Sequence, residues 1–272
     1  MKILSTKSLK RFLRRGVQPF MNEVKAGLCA FNLGEHTFPV DDFADVRFRC
    51  SSLREIKLTS DFGYEKSALG TFLFLLTPGD VVWDVGAAFG LFSVHSAEFC
   101  NQVVAFEPDP SHYQRLVGNI ELNRQGSKVS IQQLALCDSQ GELSLSTSGL
   151  SGVSPTLGVN DKHSSKVSVK TETVDRMVKS GVVKPTVMKI DVEGAEAQVL
   201  RGAAELLSSE EKPRLLFIEV HPEFLGSFGD SAEDLEHMLI ATGYRLLASD
   251  RRKGQYHLLA VPALESANGA NV

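Results

Sequence analysis

From Val81 to Pro262 the chain alternates short apolar runs with longer amphipathic stretches, and this alternation restricts its fold more than any other feature. "VVWDV", "VVAF", "TVMKI" and "RLLFIEV" are too short and too uniformly apolar for surface helices, and suit strands buried on both faces. Between them lie stretches such as "DPSHYQRLVGNIELN", where Asp109 and Pro110 suit the cap and first turn of a helix. Another helix carries Val199, Leu200, Ala203, Leu206 and Leu207 at helical spacing, and a further one opens at Ser231 with Asp234 and ends before Gly243. This pattern predicts an α/β fold with a mostly parallel sheet covered by helices on both faces. "KVSIQQLALC" reads as one more strand. The closing "YRLLAS" and "QYHLLAV" are joined by "DRRKG", too short for a helical crossover, so one of the two is expected to run antiparallel.

Residues 1–60 give weaker signals, with short strands expected at Val46–Cys50 and Glu55–Leu58. "YEKSALGTFLFLL" then reads as a helix stopped by Pro78-Gly79. The main domain is expected over 61–262. Within it, the Ser- and Gly-rich 139–173 reads as a hairpin with a long tip bordering the acceptor's site. Residues 263–272 read as a flexible tail.

Of 272 residues, 29 are Lys or Arg and 33 Asp or Glu, a net charge of −4 that gives no global basic field for nucleic acid. Cys29, Cys50, Cys100 and Cys137 form no C-x-x-C pair, which points to neither a disulfide framework nor a metal knuckle and favours a reducing, cytoplasmic setting. No apolar run approaches the roughly 20 residues of a membrane span. The first twenty residues hold six basic side chains and no acid. A solvated extension is their plain reading, and peripheral contact with a membrane surface the sharper one.

In an open α/β sheet, ligands bind at the carboxyl ends of strands where the strand order reverses. "WDVGAAFG" joins the first strand of this pattern to its first helix, and therefore lies there. A dinucleotide fingerprint needs G-x-G-x-x-G. Here Gly86 and Gly90 are separated by Ala87, Ala88 and Phe89; the middle glycine is missing and Phe89 opens the helix. S-adenosylmethionine, a sulfonium with an ammonium and a carboxylate but no phosphate, fits better. Asp84 is placed to meet the ammonium or to brace the loop, with capping of the next helix as its plainer role. Main-chain N–H groups of Gly86–Gly90 are placed to take the carboxylate. Glu107, followed by Pro108, ends the next strand about twenty residues on, where an acid receives ribose hydroxyls. Ala135 and Leu136 are placed against the adenine, with Asp138 a weaker acceptor for its amino group.

"VMKIDVEGAE" and "FIEVHPEF" add Lys189, Asp191, Glu193, Glu196, Glu219, His221 and Glu223. Adjacent central strands would gather Asp191, Glu193 and His221 around the methyl group. Methyl transfer from sulfonium needs in-line positioning and, for a hydroxyl acceptor, a base. His221 suits the base by type, with Asp191 and Glu193 as competitors or orienting groups. Lys189 either assists catalysis or simply pairs with a carboxylate. Asp191, Glu193, Glu219 and His221 also permit a divalent metal, which the spacing does not favour.

At these residues the chain resembles the FkbM family of S-adenosylmethionine-dependent methyltransferases. The matching stretches are "DFGYEKSAL", "LTPGDVVWDVGAAFGLFS", "VVAFEPDP", "LALCDSQGEL", "MKIDVEGAEAQVLRGA" and "FIEVHP", in family order. The resemblance implies a class I methyltransferase fold, Rossmann-like, with a seven-stranded, mostly parallel sheet. It also implies transfer to oxygen, on a hydroxyl of a sugar, polysaccharide, glycolipid or natural product. It assigns cofactor contacts to Asp84–Gly90 and Glu107, and adds Tyr64 and Glu65 at the pocket's border. "AAFG" replaces the more usual "AN-G", removing an asparagine amide at position 88. Alternatives are transfer to nitrogen, a catalytically inactive cofactor-binding module, and a nicotinamide dehydrogenase, disfavoured by the missing glycine.

Overall fold

The computed structural model describes Val24 and residues 35–40, 43–50, 53–60, 65–147, 156–157, 165–252 and 254–263. The chain divides into two compact units, residues 1–67 and 68–272.

In the first unit, β1 (His36–Val40) and β2 (Val46–Cys50) pair antiparallel and are followed by α1 (Leu53–Ser60). Val46, Phe48 and Cys50 point inward and Arg47 outward, the period-two pattern of a half-buried strand. The expected strand at Glu55–Leu58 is helical instead. Ile56 and Thr59, three apart, are both buried, and Thr59 Oγ1 bonds back to the Glu55 carbonyl at 2.9 Å. A four-residue alternation was too short to separate the two periods. The basic first twenty residues lie outside the described residues.

The second unit opens within α2 (Glu65–Phe74), whose Ala68, Leu69, Phe72 and Leu73 are buried. Seven strands form its main sheet: β3 (Val81–Val85), β4 (Gln102–Phe106), β5 (Val129–Gln132), β10 (Val187–Ile190), β11 (Leu215–Val220), β12 (Tyr244–Arg252) and β13 (Gln255–Pro262). Their order is β12-β13-β11-β10-β3-β4-β5. β3, β4, β5, β10 and β11 run parallel, and β13 lies antiparallel between β11 and β12. The sheet is thus the seven-stranded, mostly parallel one that the resemblance implies. The chain builds outward from β3 to β5, then returns to lay β10 on the other side of β3. The strand order reverses between those two strands.

Every residue of β3, β10 and β11 is buried, which explains their uniformly apolar sequences. On one face Trp83, Met188, Ile218 and Val220 pack under α5 (Val174–Lys179), α6 (Glu196–Arg201), α7 (Ala204–Ser208) and α8 (Ala232–Ala241). On the other, Phe217 meets Phe72 and Phe92 with ring centroids 5.3 and 6.4 Å apart. The caps fall where the sequence places them. Asp109 Oδ1 accepts from the main-chain N–H of Ser111 and His112 at the start of α4 (Pro110–Leu122), and Ser231 with Asp234 forms a capping box.

Two expected elements are each divided. The helix over Val199–Leu207 breaks into α6 and α7 at Gly202, where a Cβ would stand 2.0 Å from the Cys137 carbonyl oxygen. "KVSIQQLALC" supplies β5 and then β6 (Ala135–Leu136), which leaves the main sheet and pairs parallel with β9 (Ser165–Glu172). β9 pairs antiparallel with β7 (Gly141–Thr147), the hairpin expected over 139–173. With β8 (Thr156–Leu157) they complete a four-stranded second sheet, and the remaining tip lies outside the described residues.

Asp80 ties together the amino ends of three strands. Its carboxylate accepts from Thr77 N at 2.6 Å and Thr186 Oγ1 at 2.7 Å, and takes both Nε and Nη2 of Arg214. Burial opposes its charge, but Arg214 and the two threonines outweigh that and hold its pKa at about 2. An acid with a lowered folded pKa stabilises above its unfolded pKa, and the effect is lost as pH falls through the folded one. Acidification from about pH 5 to about pH 2 is therefore expected to destabilise the native chain by about 1–2 kcal/mol more than Asp80→Asn, discounted for the half-exposed Arg214. Urea midpoints at the two pH values check this.

Candidate active site

The carboxyl ends of β3 and β10 hold the glycine turn and an acidic loop side by side. β3 ends at Val85, and Gly86 turns the chain with φ +81. A Cβ there would stand 1.9 Å from the Asp191 carbonyl oxygen, so the two loops pack at main-chain distance. Ala88 follows at φ 49 and Gly90 at φ 94. The first helix, α3, begins only at Leu91 (Leu91–Ser96), capped by Gly90; Phe89 belongs to the turn and is buried instead of opening the helix.

The turn's main chain is occupied. Gly86 and Ala87 N–H both donate to the Phe106 carbonyl at 3.0 Å, Ala88 N–H donates to Glu107 Oε2 at 2.7 Å, and Gly90 N–H donates to the Ala87 carbonyl at 2.8 Å. Four of the five main-chain N–H groups expected to meet a ligand carboxylate thus have internal partners here. Glu107 is the brace. Its Oε1 accepts from Asp109 N–H at 2.8 Å, and burial pushes its pKa up to about 8 against the lowering effect of the two main-chain donors. Pro108 beside it is half-buried.

Asp84 has internal partners, which match the second of its expected roles, bracing the loop. It is fully buried, Ser93 Oγ donates to its Oδ2 at 2.6 Å, and Lys189 Nζ lies 3.3 Å from its Oδ1. Parallel pairing of β3 with β10 sets Asp84 opposite Lys189. Lys189 Nζ also donates to the Gly86 carbonyl at 3.0 Å, lies 3.3 Å from Asp191 Oδ2 and sits over the Phe92 ring. Burial would lower the lysine's pKa, but Asp84, Asp191 and Glu219 raise it above its ordinary value. Lys189 is therefore a fixed cation that holds β3, the glycine turn and Asp191 together. The pairing read from the sequence is present, with Asp84 and Asp191 as its partners.

Asp191, Glu193 and His221 do come together, from the loop after β10 and the end of β11, with ligand atoms within 4.8 Å of one another. The Asp191 and Glu193 side chains are 27% and 22% exposed, so the cluster opens to solvent. Burial opposes the Asp191 charge, yet Lys189 and then His221 keep its pKa below the usual carboxylate value. Glu193 sits at φ 53, and Gly194 after it at φ 106, where a Cβ would meet Phe224 Cβ at 2.5 Å. His221 Nδ1 bonds the buried Glu196 Oε1 at 2.8 Å, and its Nε2 faces Glu193 Oε2 at 3.5 Å.

That surrounding sets the charge of His221. Burial alone would lower its pKa, but the Glu196 bond and the charges of Asp191, Glu193 and Glu196 raise it to about 10. Residue type suggested a base; three surrounding carboxylates favour the charged ring in the chain without bound ligand.

Ala135 and Leu136 are 5% and 1% exposed, and lie in β6 of the second sheet, with little surface left for an adenine. Asp138 pairs with Arg201 at 3.3 Å. Glu219 faces His257 at 3.4 Å and accepts from Gln255 Nε2, rather than joining the Asp191 cluster. Tyr64 lies outside the described residues, and Glu65 occupies the first turn of α2. Sequence reasoning gave no part to Ser93 or His257, and named Glu196 without assigning it a role. The signal for His257 was a polar residue at an inward position of "QYHLLAV"; nothing local marked Ser93.

The chain matches the family model described as Methyltransferase FkbM domain over residues 84–246. Hexuronic acid methyltransferase AglP of Haloferax volcanii is 33% identical, with 65% of this chain and 70% of that protein covered. The 31-O-demethyl-FK506 methyltransferase FkbM of Streptomyces tacrolimicus is 29% identical, covering 54% and 67%. The crystal structure of methyltransferase FkbM from Methylobacillus flagellatus aligns at TM-score 0.49 and 17% identity, over 68% of this chain and 44% of that one. The family match begins at the buried Asp84, runs through the glycine turn and the Asp191–His221 cluster, and ends inside β12: the chain belongs to the FkbM methyltransferase family.

Proposed function

We propose that the chain transfers a methyl group from S-adenosylmethionine to a hydroxyl of a sugar, polysaccharide, glycolipid or natural product. The observation that carries this reading is the polar cluster of Asp191, Glu193 and His221. It lies open to solvent at the strand-order reversal, beside the turn where this fold class binds nucleoside ligands. In the displacement, the acceptor oxygen forms a bond to the methyl carbon while the sulfur–carbon bond breaks with its electron pair left on sulfur. The hydroxyl proton passes to a carboxylate of the cluster. His221, held as a cation by Glu196, orients Glu193 and stabilises the ionised carboxylates. The name of the FkbM relative, a 31-O-demethyl-FK506 methyltransferase, supports transfer to oxygen, and that of AglP, a hexuronic acid methyltransferase, supports a sugar acceptor.

Titration with S-adenosylhomocysteine tests the cofactor. Binding is expected in the native chain and about 10- to 100-fold weaker in Glu107→Ala, which frees two main-chain donors and loosens the turn. Glu193→Gln is expected to keep that binding and lose most turnover on an accepted substrate. Equal binding by Glu107→Ala and the native chain would remove Glu107 from the cofactor site. No binding by either would undercut the enzyme reading.

A further inference from the structure

We propose that Asp191, Glu193 and His221 are the ligands of one divalent cation with oxygen and nitrogen preference, of the Mn²⁺ or Mg²⁺ kind. Their ligand atoms already lie within 4.8 Å of one another, a spread that an ion closes with side-chain shifts of about an ångström, given ligand distances of about 2.0–2.3 Å.

Three features select a cation over an ordinary ion pair. The donor set is mixed, two carboxylates and one imidazole from separate segments, which suits a first-row or alkaline-earth ion better than a proton alone. His221 is 4% exposed, and a carboxylate fixes its ring from behind: Glu196 Oε1 accepts from Nδ1 at 2.8 Å and also takes the Gly194 N–H at 3.0 Å. Metal-binding histidines are oriented in this way, and the ion would displace the Nε2 proton of the imidazolium to solvent as it binds. That nitrogen, Nε2, faces Glu193 Oε2 at 3.5 Å, too far for a good hydrogen bond. Finally, the local charge is unbalanced. Asp191, Glu193 and Glu196 gather around His221, while Lys189 is directed to Asp84, the Gly86 carbonyl and one oxygen of Asp191. The Asp191 and Glu193 side chains are partly exposed, which supplies the entry path.

The role of the ion rests on the methyl-transfer reading; the site itself does not. A bound cation would seat the acceptor hydroxyl and lower its pKa. The proton then passes to the non-ligating oxygen of Glu193 as the oxygen–carbon bond forms and the sulfonium leaves as a thioether.

The test is titration of the chelator-stripped full chain with Mn²⁺, followed by the electron paramagnetic resonance signal of the free ion. One Mn²⁺ per chain is expected. Glu193→Gln leaves the Asp84–Lys189 pair untouched, and is expected to weaken binding at least tenfold with an unchanged circular dichroism spectrum. His221→Gln is expected to do the same. No binding by the native chain at millimolar Mn²⁺, or native affinity in both variants, overturns the site. A parallel S-adenosylhomocysteine titration separates the two readings. Retained cofactor binding without Mn²⁺ removes the metal and leaves the methyltransferase proposal standing; Mn²⁺ binding without cofactor binding does the reverse.

Discussion

Gly86→Ala is expected to yield little or no folded protein. The added Cβ would stand 1.9 Å from the Asp191 carbonyl oxygen and 2.9 Å from its carbon, both main-chain atoms that no side-chain rotation can move. The residue also adopts φ +81, which adds about 1–2 kcal/mol for any side chain. Separation of the two loops would break the ladder bond from Asp191 N–H to the Val85 carbonyl and draw Lys189 away from the Gly86 carbonyl. A destabilisation above about 4 kcal/mol follows from these combined mechanisms, a large part of a domain's total. Gly79→Ala is the control, because nothing lies within 4 Å of its Cβ position. Soluble yield and urea midpoints for the two variants decide the matter. A Gly86→Ala protein as stable as Gly79→Ala would mean that the β3 and β10 loops do not touch.

Lys189→Met is expected to be nearly as damaging, for an electrostatic reason. It leaves the fully buried Asp84 with Ser93 as its only polar partner among the described residues, and removes a cation from Asp191. Breaking a buried pair by deleting one partner costs about 3–5 kcal/mol, while replacing both partners with apolar groups of similar size is often close to neutral. The double variant Asp84→Leu/Lys189→Met is therefore expected to recover most of the stability that Lys189→Met loses. A double-mutant cycle in urea measures that coupling. If the two losses simply add, the pair is not the reason that either residue is there.

These two results bear on what could be read before the fold was known. Strand–helix alternation identified a parallel sheet with an antiparallel closing strand, because strands buried on both faces must be apolar throughout and a five-residue connection cannot cross over. Caps at Asp109 and Ser231 were legible for the same reason: the chemistry of a helix end involves residues only two or three positions apart. The division of Val199–Leu207 was not legible, since Gly202 is required by the Cys137 carbonyl of a different segment. Nor was the exit of Ala135–Leu136 from the main sheet, which depends on pairing with β9.

Within the site, the chain order of the motifs placed the glycine turn, Glu107, Asp191, Glu193 and His221 at strand ends, and the pattern of glycines argued against a dinucleotide. What each residue does was decided by neighbours distant in sequence. Register across β3 and β10 gave Asp84 its lysine and so removed the need for a ligand to neutralise it. Glu196, behind the ring, and the carboxylates around it gave His221 its charge. The sequence by itself determined the sheet and which polar residues reach its carboxyl edge, because backbone periodicity and capping are local. Only the tertiary structure decided which of them carry charge, pair internally or remain open to a ligand, because electrostatic energies sum over neighbours that folding alone brings within a few ångströms.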